Sequence, residues 1–405
     1  MWGGEEEAHM NRRMEKITVL SLSFMLITTF SVTPLLPLMQ KAFPAYSTDQ
    51  VEMLVSIPSF CMMLMILGSN WIYRFASEKF WITQGLILLS VAGVVPVFVE
   101  SYPVIFVSRA FLGIGLGLVN GRAVSMISER FEGREKVTLL GYRASIEVAG
   151  NILMTLVVGR LLLIRWNLAF CIYGFGVVIL VLYLRFLPEE PKGIEARSAE
   201  KTEQKQKNHP SRSLSGKEVV TLLRLVVTAG FMILVNSVIS LRVPSFVLER
   251  GIGNESDSSI VLSILMVASI VAGVLFGQMR DLWKQKLEAV GLIGLGLSLL
   301  LIISSHSLLI LTVGAALSGF FYMIPLTCCL NGVSEELPIE LVSLTTSLVL
   351  VGCNLAASTS PLVLKLIAWF DGHTETPYLV FAVVSFGGAL ISWFRTGKDS
   401  PLQVE

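Results

Sequence analysis

Apolar runs of roughly twenty residues recur along nearly the whole chain, each closed by a short polar or charged stretch. They fall near 17–39, 51–72, 80–99, 104–126, 139–164 and 167–187, then near 219–243, 258–279, 287–304, 308–330, 341–367 and 378–394. A helix rises ~1.5 Å per residue, so ~20 apolar residues cross the ~30 Å hydrocarbon core of a bilayer. The pattern predicts an all-α integral membrane protein of about twelve transmembrane helices. The first run has no small-residue cleavage site and is longer than a signal-peptide core, so it reads as a retained helix. Thr28, Thr29, Ser31, Thr33, Pro34 and Pro37 interrupt its outer part. Membrane helices tolerate proline where neighbours or water take up the freed carbonyls.

The gap between the sixth and seventh runs differs in kind. Residues 188–217 hold Glu189-Glu190-Pro191-Lys192 and a long stretch of Lys, Glu, Gln and Asn, a composition suited to a linker. It divides the chain into an N-terminal six-helix bundle, 1–187, and a C-terminal one, 218–405. Arg12, Arg13, Lys16, Lys79, Arg130, Arg134, Lys136, the linker, Arg280, Lys284, Lys286, Arg395 and Lys398 fall on one side. Lys41, Arg160, Arg165, Arg242, Arg250 and Lys365 are the few on the other. By the positive-inside rule both termini and the linker are cytoplasmic in a multi-pass protein of the cell membrane. Glu335, Glu336 and Glu340 share a loop with no basic companion. The halves also look repeated. Ser128-Glu129 and Ser334-Glu335 close the fourth and tenth runs, and the offset of 206 (334 minus 128) also carries Gly113 to Gly319. Arg109 maps to Ala315 at that offset, so any charge chemistry it performs belongs to one half.

Composition agrees with the pattern. Of 405 residues 53% are hydrophobic and 15% charged. Mean hydropathy is +0.71. The bilayer is therefore the solvent. A net charge of +1 gives no global basic field for nucleic acid. Cys61, Cys171, Cys328, Cys329 and Cys353 lack metal-ligand spacing and read as free, buried thiols. There is no phosphate-binding Gly-x-x-x-x-Gly-Lys-Ser/Thr loop, no His-Glu-x-x-His and no Gly-x-Ser-x-Gly. An ATP-powered pump and an enzyme are thereby disfavoured, and no cofactor or metal is implied.

The fourth run carries the most information: Val107-Ser-Arg-Ala-Phe-Leu-Gly-Ile-Gly-Leu-Gly-Leu-Val-Asn-Gly-Arg122. On a helical wheel Arg109, Gly113, Leu116 and Asn120 share a face, and Gly113, Gly117 and Gly121 recur every fourth residue, so a neighbour can approach closely. An arginine inside a span costs ~2.5–3.5 kcal/mol on insertion scales and faces a bundle interior or cavity. The plain alternative is a glycine-packed helix whose arginine snorkels to the surface. This stretch resembles the fourth-helix signature of the major facilitator superfamily. The resemblance implies a fold of two pseudo-symmetric six-helix bundles, with Arg109 beside the central pathway and linked to proton coupling. Trp166-Asn-Leu-Ala-Phe170 is similar to the family as well. So is Gly277-Gln-Met-Arg-Asp281 with Lys284 and Lys286, where the resemblance makes Asp281 a cytoplasmic gate residue. The matching loop of the first half keeps Arg74, the second cytoplasmic gate candidate, but has no aspartate, and Gly150 is followed by Asn151 where family antiporters often carry Gly-Pro.

The fifth run holds Arg143 and Glu147 at i, i+4, with Gly150, Asn151 and Met154 on roughly the same stripe. Glu147 reads equally as a proton carrier whose state follows its surroundings or as half of a structural ion pair. Thr29, Asn120, Asn151, Asn236, Tyr322 and Asn354 are pathway candidates; Arg122 and Arg224 read as snorkelling side chains. The whole reads as a monomeric secondary transporter moving a small organic solute by alternating access, coupled to protons through Arg109, Arg143 and Glu147. Interior arginines lean toward an organic anion. The alternatives are a drug/proton antiporter for amphipathic compounds, or a sensor or passive channel built on such a fold.

Overall fold

The structure, a computed structural model, describes residues 2–396 apart from 27, 74, 132, 188–214, 339–340 and 372. Among the described residues it is helical throughout. In chain order the α-helices are α1 (Trp2–Ser23), α2 (Leu36–Ala42), α3 (Thr48–Ile72), α4 (Glu78–Phe98), α5 (Tyr102–Arg130), α6 (Gly133–Leu161) and α7 (Phe175–Phe186). After the linker come α8 (Gly216–Glu249), α9 (Glu255–Trp283), α10 (Leu287–Ile303), α11 (Leu308–Glu336), α12 (Val342–Phe370) and α13 (Thr376–Thr396). Short polar residues start several of them. The side chain of Ser77 accepts from the Phe80 amide to open α4, and Asn254 and Asp257 form a reciprocal capping box at α9.

Among the described residues ten helices are long and apolar enough to cross a membrane, and eleven when a pair bent by 50°, Arg13–Ser23 with Thr28–Ala42, counts as one span. One of the ten, Glu255–Ile303, runs 49 residues. A straight helix of that length would measure about 74 Å, more than twice the hydrocarbon core. It is two spans, α9 and α10. Lys284 breaks them apart with φ of +49°, a conformation a helix cannot pass through. Twelve spans result. The first is not the continuous helix that its apolar run predicts. α1 stops at Ser23, 3₁₀ turns occupy Thr28–Phe30 and Thr33–Leu35, and α2 resumes at Leu36. Pro34 has no N–H to give the Phe30 carbonyl one turn back, and the Thr33 hydroxyl donates to that carbonyl instead.

Within the first six spans, α5 packs between α3 and α4; within the last six, α11 packs between α9 and α10. The glycine ladder does what its spacing predicts. A Cβ on Gly113 would overlap the Pro58 carbonyl oxygen, and one on Gly117 would crowd Met62 and Met65 of α3. The repeat is visible in packing. Gly319, offset 206 from Gly113, presses in the same way on the Leu265 carbonyl of α9. The same offset carries Gly85, which meets Leu118, to Gly291, which meets Ile324. The outward faces hold exposed apolar side chains such as Val91, Val181, Val274 and Ile391, as a lipid-facing surface requires.

The two sets of six meet mainly through α3 against α12 and α6 against α9, with α2 lying on α8. If the linker end is the one where Phe186 and Gly216 lie, these contacts crowd toward the other, distal end. There a Cβ on Gly159 would overlap the Ser259 hydroxyl, and Lys365 of α12 pairs with Asp49 of α3 at 2.9 Å. Most of the 188–217 linker lies outside the described residues.

Gly113→Ala puts a methyl group into the backbone of α3. It is expected to lower the melting temperature clearly, at the ~1–3 kcal/mol scale of overpacking. Gly387→Ala, with open space around it, is expected to leave melting unchanged or raised. Equal melting of the two variants would show that the α3–α5 contact is not tight.

Candidate functional site

The buried arginine has its own cradle. Pro58 of α3 has no N–H, so the Leu54 carbonyl four residues earlier lacks its helical donor. Arg109 supplies one: Nε donates to the Leu54 carbonyl at 2.9 Å. Its Nη2 donates to the Thr29 carbonyl at 3.1 Å, inside the break of the first span. The Tyr173 hydroxyl donates to the neighbouring Thr28 carbonyl at 3.1 Å, and the rings of Tyr173 and Phe170 flank the guanidinium at 5.1 and 5.8 Å. Arg109 is 0% exposed, which excludes snorkelling. No carboxylate pairs with it among the described residues, and Nη1 has no hydrogen-bond partner there.

A cavity of about 380 Å³ lies between the halves. Thr29, Asn151, Asn236, Tyr322 and Asn354 line it together. Of the six pathway candidates only Asn120 stands outside the lining. Most of the wall is apolar, with Met62, Met266 and Met323 contributed by three helices. Ser31 fixes one polar group by donating to Asn151 Oδ1 at 2.6 Å, whereas Asn236 Oδ1 is buried without a partner. Arg109 does not reach the lining. It stands one layer behind it, bonded to the backbone of Thr29, which does.

A polar stripe leads from this cavity toward the linker end along α6. Asn151, Glu147 and Arg143 succeed one another at one-turn intervals. Arg143 Nη1 and Glu147 Oε2 are 3.4 Å apart, and Arg143 Nη2 donates to Asn120 Oδ1 at 3.4 Å. Asn120 in turn donates to the sulfur of Met62 at 3.9 Å. The structure therefore joins Asn120, Arg143 and Glu147 in one partly buried group beside the cavity.

A second hollow, about 640 Å³, opens at the linker end of the last six spans. Asp281 and Lys284 line it with three ion pairs: Arg224–Glu336 at 2.5 Å, Arg280–Glu335 at 2.7 Å and Arg395–Glu288 at 3.9 Å. Glu335 and Glu336 thus find on other helices the basic companions their own loop lacks. The two arginines read as snorkelling have ion-pair partners: Arg224 holds Glu336 at the rim of this hollow, and Arg122 pairs with Glu78 and stacks over Tyr73 at 5.3 Å. Arg74 and Glu340 lie outside the described residues. The five cysteines are free, but only Cys329 is buried, and Cys171 is exposed.

One charged pair escapes the sequence reading. Glu52 of α3 is 1% exposed and lies 3.5 Å from Arg242 Nε of α8. Tyr378, packed on Phe246 one turn beyond Arg242, is also fully buried. The available signal was an acidic residue inside an apolar run, Val51-Glu52-Met53, close enough to the run's edge to pass as a boundary charge.

Arg109→Lys cannot reach both carbonyls in the same geometry. Each buried acceptor left bare costs ~1–3 kcal/mol, so this variant is expected to melt well below wild type before any question of transport. Unchanged melting would mean the two carbonyls are satisfied without the guanidinium.

The Major Facilitator Superfamily matches the chain over residues 18–288 and 253–404. Among solved structures, the D-xylose–proton symporter superposes with a TM-score of 0.73 at 15% identity, covering 93% of this chain and 97% of that one. The peptide transporter POT in complex with sulfate superposes with a TM-score of 0.75 at 14% identity over 95% and 94%. The cyanate transport protein CynX of Escherichia coli (strain K12) is 27% identical over 125 residues, which span 30% of this chain and 32% of CynX. Fold, span pattern and sequence agree: the chain belongs to the Major Facilitator Superfamily of membrane transporters.

Proposed function

We propose that the protein is a secondary active transporter that carries a small solute by alternating access and couples it to protons. Residues 1–187 and 218–405 are the two moving units in this reading, with the 188–217 linker and both termini on the cytoplasmic side of the cell membrane. The observation that carries it is the central cavity, walled by helices of both halves. At about 380 Å³ it falls within the ~300–1,000 Å³ range of small-molecule sites. A rocking motion of one half against the other opens such a site to each side in turn.

Charge favours a small organic anion. Arg109 places a buried cation with no carboxylate partner behind the Thr29 wall, and no acidic residue lines the cavity, among the described residues. Cyanate, named in the CynX relative, is a small anion. The apolar wall and its three methionines support a second reading, export of amphipathic compounds, because thioethers adapt to varied shapes. Competition by matched acids and amides separates the two: an anion carrier discriminates between them, an amphiphile exporter does not.

Glu147 is the coupling candidate on the stripe. Glu147→Gln keeps the shape but cannot titrate. In proteoliposomes with an imposed pH gradient it is expected to lose driven accumulation while retaining substrate binding. If the Arg143–Glu147 pair is only structural, Glu147→Gln instead loses stability, and adding Arg143→Gln restores part of it. Gradient-driven accumulation at the wild-type rate by a well-folded Glu147→Gln would remove the residue from coupling.

Orientation has its own test. A single cysteine at Thr202 is expected to resist an impermeant thiol reagent in intact cells, and one at Asn254 to react. The reverse labelling would invert the topology.

A further inference from the structure

The Glu52–Arg242 pair belongs neither to the cavity lining nor to the α6 stripe. It joins α3 to α8, and so one half to the other, near the distal end where the halves are held together. A second ion pair across this seam, Asp49–Lys365, involves a lysine that is 63% exposed. Exposed pairs contribute little, whereas a buried charge that loses its partner is heavily disfavoured. Glu52 and Arg242 are therefore the charges whose fate depends on whether the halves stay together.

The pair is held loosely. Its closest approach is 3.5 Å; Glu52 Oε2, Arg242 Nε and the Tyr378 hydroxyl are all buried without hydrogen-bond partners among the described residues. The other charges nearby are already engaged. On α3, Asp49 holds Lys365 of α12. At the end of α8, Glu249 accepts from Thr374 at 2.7 Å, and Arg250 is bound to Glu375 and to the Ser305 carbonyl. Tyr378 of α13 is within electrostatic range of both Glu52 and Arg242. Among the described residues Glu52 thus has Arg242 as its countercharge.

We infer that Glu52 and Arg242 form a proton-sensitive latch on the distal side of the seam, with Glu52 the carboxylate that takes up a proton from that side. The inference rests on the proton-coupled reading above. Ionised Glu52 attracts Arg242 and keeps the distal end shut. A proton on Glu52 removes that attraction and leaves Arg242 a buried, unpaired cation, which is relieved when the halves part and water reaches it. The direction follows: the closed distal end is favoured at higher pH and weakened as pH falls. Under the proposed orientation, proton uptake from outside is thereby tied to opening toward the outside.

The test reads conformation directly. Full-length protein without its five native cysteines carries nitroxide labels at Ala45 and His306, exposed sites at the distal ends of the two halves. Distances are measured in nanodiscs at about pH 7.5 and about pH 5.5, on either side of the range where a perturbed carboxylate titrates. Wild type is expected to gain a longer-distance population at low pH. Glu52→Gln is expected to show that population at both pH values with no further response. The exchange Glu52→Arg with Arg242→Glu restores the pair and is expected to return closure at high pH, which separates loss of the latch from loss of folding. A Glu52→Gln protein with wild-type distances and pH response overturns the inference. So does a pH response abolished by Glu147→Gln and untouched by Glu52→Gln, though that outcome leaves proton coupling standing. Absence of both a pH-dependent distance and gradient-driven accumulation in wild type removes the proton-coupled reading itself.

Discussion

A bilayer offers no water to a bare carbonyl, and the architecture follows from how this chain meets that constraint where its helices break. The first span is interrupted between α1 and α2, and α3 carries Pro58. Both defects lie at the level of Arg109, which donates to the carbonyls of Thr29 and Leu54. Gly113, one turn along α5, lets the helix close onto Pro58 so that the guanidinium can reach. The break then sets the larger geometry. Before it, α1 packs within its own half on α6 and α7; after it, α2 lies on α8 of the other half. Without a donor for the broken backbone, the first span would have no means of bridging interior and seam.

This gives the arginine two consequences from one placement. As a donor it is structural, and its full burial shows that substrate does not touch it in this conformation. As a cation without a carboxylate it biases the potential behind the Thr29 wall, because low dielectric strengthens an uncompensated charge. The fourth-helix resemblance implied an arginine beside the central pathway. The geometry has Arg109 one layer behind the cavity lining, bonded to the backbone of Thr29.

Much of the fold was legible because it depends on local sequence. Apolar length located every span, and the four-residue glycine period located the α3–α5 contact. The 206-residue offset exposed a repeat that packing extends to Gly85 and Gly291. Less was legible where the partner is remote. Nothing near Arg122 announces Glu78, and nothing near Glu335 announces Arg280, so both looked like isolated boundary charges. Glu52 and Arg242 are 190 positions apart on opposite halves (242 minus 52), and only the folded seam brings them together. Polar candidates at mid-span fared differently. Thr29, Asn151, Asn236, Tyr322 and Asn354 converge on one cavity because an apolar helix has few other places to bury a polar side chain.

The two buried acid–base pairs differ in a way that bears on how a transporter divides its labour. Arg143 and Glu147 lie on one helix, a turn apart, so a rigid movement of the halves carries them together and leaves their separation unchanged. Only solvent or an arriving solute can disturb that pair, and it borders the cavity through Asn151. Glu52 and Arg242 lie on different halves, so no movement that parts the halves can preserve them. Under the proposed proton coupling, the first pair would sense occupancy and the second conformation. The cavity lies between them, Glu147 toward the linker end and Glu52 toward the distal end. Coupling between solute and proton needs both kinds of sensor, because a group that responds to occupancy alone cannot tell which side is open. A group that responds to conformation alone cannot tell whether the site is filled.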